Sequence, residues 1–203
     1  MFIGRTRELA ALDRLYQSDR FEFAVIYGRR RVGKTTLINQ FINDKKAIYF
    51  MGVESNAKQN LENFSRSILE METGFKAETT FLSFQAALEM VFQLAGHQRL
   101  VLVIDEYPYV ARASASLAST LQLLIDQYKE TSKLMLILCG SSMSYMEDHV
   151  LAYKAPLYGR RTAQMKILPF DFEEVCRCFP GYSAEEQALV YGAVGGTPQY
   201  LLQ

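Results

Sequence analysis

Tryptophan is absent, histidine occurs twice and cysteine three times in 203 residues. No apolar run approaches the roughly 20 residues that span a bilayer, so a membrane-spanning helix is not expected. Met1 to Leu9 carry two arginines and one acid where a secretory signal would carry an apolar stretch. The expectation is a soluble, cytoplasmic protein with no membrane partner. The odd cysteine count, Cys139, Cys176 and Cys178, argues against a disulfide framework. With so few histidines to join them, Cys176 and Cys178 read as packing residues and not as a metal pair. A dominant charge is missing as well: 22 basic and 22 acidic side chains cancel. No global field therefore draws the chain to nucleic acid, although a local patch is left open.

What is present is ample apolar material, 49% of residues, enough for one core and a small appendage. Apolar runs of strand length lie at Phe23 to Tyr27, Ala47 to Met51, Leu100 to Ile104, Leu134 to Cys139 and Met165 to Leu168. Between them, Lys34 to Ile42, Lys58 to Met71, Ser83 to Leu94 and Leu117 to Tyr128 space apolar residues by three and four. This alternation predicts an α/β fold with a parallel sheet covered by helices. After Pro169 it changes to two short helices, Phe172 to Phe179 and Ala184 to Tyr191. The division expected is a core over 1–169 and a helical lid over 170–203. Pro198 to Gln203 read as the first turns of a helix without a capping end, so the chain reads as part of something longer.

The segment Gly28, Arg29, Arg30, Arg31, Val32, Gly33, Lys34, Thr35 matches the phosphate-binding loop G-x-x-x-x-G-K-[ST] at every defined position. It follows an apolar strand and opens a helical pattern, the order the mechanism needs. The glycines let main-chain N–H groups face phosphate oxygens, and the helix N-terminus adds partial positive charge. Lys34 is expected at the β- and γ-phosphates, the Thr35 hydroxyl at Mg²⁺, and Thr36 near the α-phosphate. Three consecutive arginines cannot all face phosphate, so at least one pairs with an acid or faces a partner.

A buried strand ending in Asp105 and Glu106 is the companion element, with Asp105 expected at Mg²⁺ and Glu106 polarising the attacking water. A third strand runs into Gly140, Ser141 and Ser142, hydroxyls that either hold the water or sense the γ-phosphate, with Ser142 equally readable as a helix N-cap. Arg160 and Arg161 precede the last strand and read either as a sensor or arginine finger or as solvated loop residues.

Taken together, these segments resemble the archaeal-type ATPases, AAA-like P-loop proteins placed with the STAND nucleotide-binding proteins. The resemblance rests on Phe2 to Leu9, Tyr27 to Thr35, Asp105 to Tyr109, Cys139 to Ser142, Pro156 to Thr162 and Gly195 to Leu201. It implies a five-stranded parallel sheet in the order 5-1-4-3-2, base contacts from Ile3 and Gly4, and a lid motif over the nucleotide at Gly195 to Pro198. It also implies ATP over GTP, and a C-terminal winged-helix and nuclease-like effector region absent from these residues.

Three functions fit: Mg²⁺-dependent ATP hydrolysis, a nucleotide-gated switch with slow turnover, and, less well, a small-molecule kinase. A homo-oligomer is left open, because an arginine acting in trans demands a neighbour and one acting in cis does not.

Overall fold

The computed structural model describes residues 3–75 and 79–201. Strands β1 (Glu22–Tyr27), β2 (Ala47–Met51), β3 (Leu100–Asp105), β4 (Leu134–Gly140) and β5 (Ala163–Lys166) form one sheet in the order β2-β3-β4-β1-β5. All four pairings are parallel. This is the expected 5-1-4-3-2 order, and it seats the serine-bearing β4 between β1 and β3.

The three inner strands are buried along their whole length, and apolar but for Glu22 at the start of β1 and Asp105 at the end of β3, because helices cover both faces of the sheet. Their residues alternate between two cores, as a period of two requires. Phe23, Val25, Leu102 and Leu136 face the first, under α3 (Ala57–Thr73), α4 (Phe84–His97), α5 (Tyr107–Ala113) and α6 (Leu117–Tyr128). Ala24, Ile26, Val103 and Ile137 face the second, under α1 (Thr6–Gln17) and α2 (Lys34–Ile42), where Leu12, Leu37, Ile38 and Phe41 are buried. Each large side chain buried this way stabilises the fold by about 1.5–3 kcal/mol. Local chemistry sets the helix ends: the Asn56 side chain accepts from Gln59 N and that of Ser83 from Ala86 N.

Beyond β4, α7 (Met143–Met146) continues into one wide turn over Glu147–Leu151. The C-terminal helices α8 (Phe172–Cys178), α9 (Ala184–Val194) and α10 (Pro198–Leu201) gather around their own small core of Phe170, Val175 and Leu201. Capping boxes Asp171/Glu174 and Ser183/Glu186 start α8 and α9 where the sequence reading starts them. The helix read over Pro198 to Gln203 is α10 as far as Leu201; its last two residues lie outside the described ones.

Three elements differ from the sequence reading. The fifth strand lies two residues earlier, Ala163–Lys166 in place of Met165 to Leu168, because pairing with Ala24–Tyr27 and not hydropathy sets its register. As an edge strand it alternates between half-buried and exposed residues, which hides it from a search for apolar runs. Helices α1 and α5 were not anticipated; α5 begins on Glu106 in the left-handed region and carries Pro108 in its first turn. No helix among the described residues is long and apolar enough to cross a membrane.

Candidate active site

Parallel strands deliver their carboxyl ends to one edge of the sheet, and three of them carry the expected residues there. β1 leads into the Gly28–Thr35 loop, β3 ends in Asp105, and β4 ends in Gly140 beside Ser141. Gly28 has its backbone against the next strand's exit, where a Cβ would collide with the Ile167 carbonyl oxygen, so only glycine fits. The Val32 side chain is buried in the core, and its carbonyl accepts from Arg5 Nη2 at 3.0 Å. Arg30, Arg31, Gly33, Lys34, Thr35, Thr36, Glu106, Pro198 and Gln199 line a cleft of about 610 Å³.

Lys34 is buried, and its Nζ donates to the carbonyls of Gly28 at 3.0 Å and Arg29 at 2.8 Å, bridging the loop's ends. Arg29 contributes that carbonyl while its side chain is exposed. Thr35 Oγ1 donates to Asp105 Oδ2 at 2.9 Å, joining the loop to β3. Asp105 is 1% exposed, and its other oxygen accepts from Glu106 N at 2.9 Å. Tyr49 of β2, not anticipated from sequence, donates its hydroxyl to Asp105 Oδ2 at 2.7 Å. Burial, and then this bond to Asp105, pushes the Tyr49 phenol well above its ordinary pKa. Cys139 lies behind the same carboxylate; burial first and Asp105 second raise its thiol far above the usual value.

Glu106 sits at φ 49°, a left-handed conformation that is costly for a non-glycine residue. It directs the carboxylate toward β4, where Glu106 Oε2 accepts from Ser141 Oγ at 2.9 Å and Ser141 N at 3.2 Å. Ser141 and Ser142 face a smaller cleft beside Glu106 that Arg30, Tyr109 and Arg112 also line. Ser142 occupies the N-cap position of α7, but its side chain makes no capping hydrogen bond.

The arginines of the loop resolve individually. Arg30 Nη2 donates to the Tyr109 hydroxyl at 2.7 Å, and Arg31 Nη1 to that of Tyr200 at 2.6 Å, with its guanidinium 5.3 Å from the Tyr200 ring centre. Both meet tyrosines, where the sequence reading offered either an acid or a partner. Pro198 Cγ stands 3.8 Å from where a Cβ on Gly33 would be, so the 195–198 turn lies directly on the loop.

Two expected groups are not brought to this cleft. Gly4 lines a neighbouring one with Arg5, Leu168 and Glu174, and Ile3, next to it in sequence, lines neither. Arg160 and Arg161 lie at the opposite end of the sheet: Thr162 N donates to Phe23 O at 2.8 Å, at the start of β1, whereas the loop leaves its end. The six residues of β1, at roughly 3.3 Å per residue, set the two apart. Arg160 is held instead by Asp126, through Nε at 2.9 Å and Nη2 at 2.6 Å. Arg161 lies over the Tyr158 ring, 5.5 Å from its centre.

A residue the sequence did not single out ties this end of the molecule together. Arg5 is 6% exposed, donates to Val32 O at 3.0 Å and Leu168 O at 2.5 Å, and lies 4.8 Å from the Phe170 ring centre. Loop, β5 exit and C-terminal helices thus share one guanidinium. A Cβ on Gly196 would meet the Phe170 carbonyl, and Phe170 N donates to Gly196 O at 2.6 Å, which closes the same joint.

The family model for an ATPase domain found predominantly in Archaea matches residues 2–203. The uncharacterized protein MJECL04 of Methanocaldococcus jannaschii is 37% identical over 201 residues, which are 99% of this chain and 43% of that protein. Among solved structures, the Walker-type ATPase PABY2304 of Pyrococcus abyssi superposes with TM-score 0.71 at 22% identity, over 98% of this chain and 65% of that one. The Aeropyrum pernix ORC2 protein, solved as ADPNP and ADP complexes, superposes with TM-score 0.62 at 18% identity, over 92% and 52%. The chain therefore spans less than two thirds of each of these three relatives.

Proposed function

The chain belongs to this family of ATPase domains, and on that premise we propose that it binds ATP with Mg²⁺ and hydrolyses the β–γ phosphoanhydride in the cleft between the Gly28–Thr35 loop and the ends of β3 and β4. The observation that carries the reading is the joining of Thr35 Oγ1 to Asp105 Oδ2 at 2.9 Å, with Glu106 next in sequence and aimed by Ser141. A hydroxyl and a carboxylate this close are hard oxygen donors within one coordination sphere, and so fit Mg²⁺. Bound there, Mg²⁺ would neutralise charge on the β- and γ-phosphates.

The chain's own residues supply the rest. Main-chain N–H groups of residues 29–34 and the N-terminus of α2 cradle the phosphates, and Lys34 turns its ammonium from the loop carbonyls to the β,γ oxygens. Arg30 and Arg31, on the cleft wall, raise the positive potential, and Thr36 serves the α-phosphate. Pro198 covers the nucleotide from the lid side. Ser141 occupies Glu106 Oε2 with two donors, which leaves Oε1 to take the proton from water as its oxygen attacks the γ-phosphorus and the bond to ADP breaks. Ser142 faces the same water from the smaller cleft. Gly4, one cleft away, and Ile3 before it serve the adenine only from its outer side. Arg160 and Arg161, at the far end of the sheet, would act on nucleotide held by another copy.

A nucleotide-gated switch is the second reading. It is favoured by the direct seating of the 195–200 segment on the phosphate loop through Pro198 and the Arg31–Tyr200 pair. In that reading the lid position reports whether ATP or ADP is bound, and an effector region in the longer protein reads it.

Calorimetric titration of ATP with and without Mg²⁺ tests the proposal. Lys34→Ala is expected to weaken binding at least tenfold, and Thr35→Ala to remove its Mg²⁺ dependence. Unchanged ATP affinity in Lys34→Ala would overturn the site.

A further inference from the structure

We propose that Tyr49 is a positioning residue for Asp105, an assignment that rests on reading Asp105 as an Mg²⁺ ligand. Tyr49 pairs in register with Val103, two residues before Asp105, so the two side chains share one face of neighbouring strands. The residue directly opposite Asp105 is Met51, which has no group to offer it and is 45% exposed. Tyr49 reaches diagonally, with its ring packed against the core beneath α2 and its hydroxyl 2.7 Å from Asp105 Oδ2.

The donors around this buried carboxylate have distinct fates. Glu106 N holds Oδ1 at 2.9 Å and cannot leave, since it is part of the β3–α5 turn. Thr35 Oγ1 and Tyr49 OH share Oδ2, the two in-plane lone pairs of one oxygen. A metal held by Thr35 and Asp105 would take a lone pair of the Thr35 hydroxyl and so turn that hydroxyl, whereas loading makes no demand on the Tyr49 oxygen. The Tyr49 bond remains and fixes the carboxylate plane, the part that partners behind a metal ligand play in other sites. A phenol suits this better than a cation would, because it orients the carboxylate without cancelling the charge that attracts the metal.

Electron paramagnetic resonance titration of Mn²⁺ into the ATP complex of the whole chain tests this, with wild type, Tyr49→Phe and Asp105→Asn compared. Phenylalanine keeps the ring and its packing and removes only the donor. Mn²⁺ affinity is expected to fall about 10-fold or more in Tyr49→Phe, with metal-free ATP affinity and the melting temperature close to wild type. A purely structural role would lower the melting temperature and leave Mn²⁺ affinity alone. Wild-type Mn²⁺ affinity in Tyr49→Phe, with loss in Asp105→Asn, would overturn the role of Tyr49 and spare the metal site. Wild-type affinity in Asp105→Asn would overturn both.

Discussion

Ser141 donates twice to one oxygen of Glu106, from its hydroxyl at 2.9 Å and its main-chain N–H at 3.2 Å, so the end of β4 aims the acid that follows β3. The N–H survives any substitution except proline, and the hydroxyl does not. In Ser141→Ala, kcat is expected to fall about tenfold with ATP affinity unchanged, the loss of one hydrogen bond to a charged group. A steady-state comparison checks this; a rise in KM at constant kcat would place Ser141 in substrate binding instead.

The Arg31–Tyr200 pair fastens α10 to the loop from the solvent side. Tyr200→Phe keeps the ring under the guanidinium and loses the hydroxyl, whereas Tyr200→Ala loses both. Dissociation of a fluorescent ADP, followed by stopped flow, is expected to quicken slightly in the first and by about 3–5-fold in the second, as suits a cation–π contact worth ~0.5–1 kcal/mol at an exposed site. Equal rates in all three proteins would separate α10 from nucleotide release.

Much of this arrangement was legible in the sequence, and the losses have physical causes. Gly28 to Thr35 and Leu100 to Glu106 announce themselves because a fully buried parallel strand must be apolar throughout and its polar residues then cluster at the end. The order of the strands came from resemblance, since alternation alone is compatible with several. Tyr49 was hidden because its relation to Asp105 runs across strands, between positions 56 residues apart. Arg160 and Arg161 were drawn toward the site because guanidinium chemistry suits phosphate; the pairing of Ala163 with Ala24 sets them at the far end of the sheet. The buried Arg5 reads from sequence as one charge among many near the start of the chain.

Asp126 and Arg160 supply a pH-dependent contribution away from the site. The two hydrogen bonds and charge of Arg160 hold the Asp126 carboxyl below its ordinary value of 3.8. A depressed carboxyl stabilises the fold at pH above that ordinary value, and the contribution is lost as pH falls through the folded-state pKa. With Asp126 46% exposed, solvent limits the effect to at most about 1 kcal/mol. Asp126→Asn is expected to melt earlier than wild type at pH 7, and the gap to close toward pH 2; a gap independent of pH would assign it to packing.

Cys139 is buried, and its raised pKa keeps it a thiol at neutral pH. Only the thiolate reacts readily, so iodoacetamide is expected to modify the half-buried Cys176 and Cys178 long before Cys139. Peptide mass mapping of a time course checks the order; early labelling of Cys139 would contradict the closed packing behind Asp105.

The central claim is that Glu106 takes the proton from the attacking water, and it is tested most directly by phosphate release from bound ATP in a single turnover with wild type and Glu106→Gln. The account predicts equal ATP and Mg²⁺ affinity in the two proteins, with release at least about 100-fold slower in the variant. Release at the wild-type rate from Glu106→Gln would contradict it.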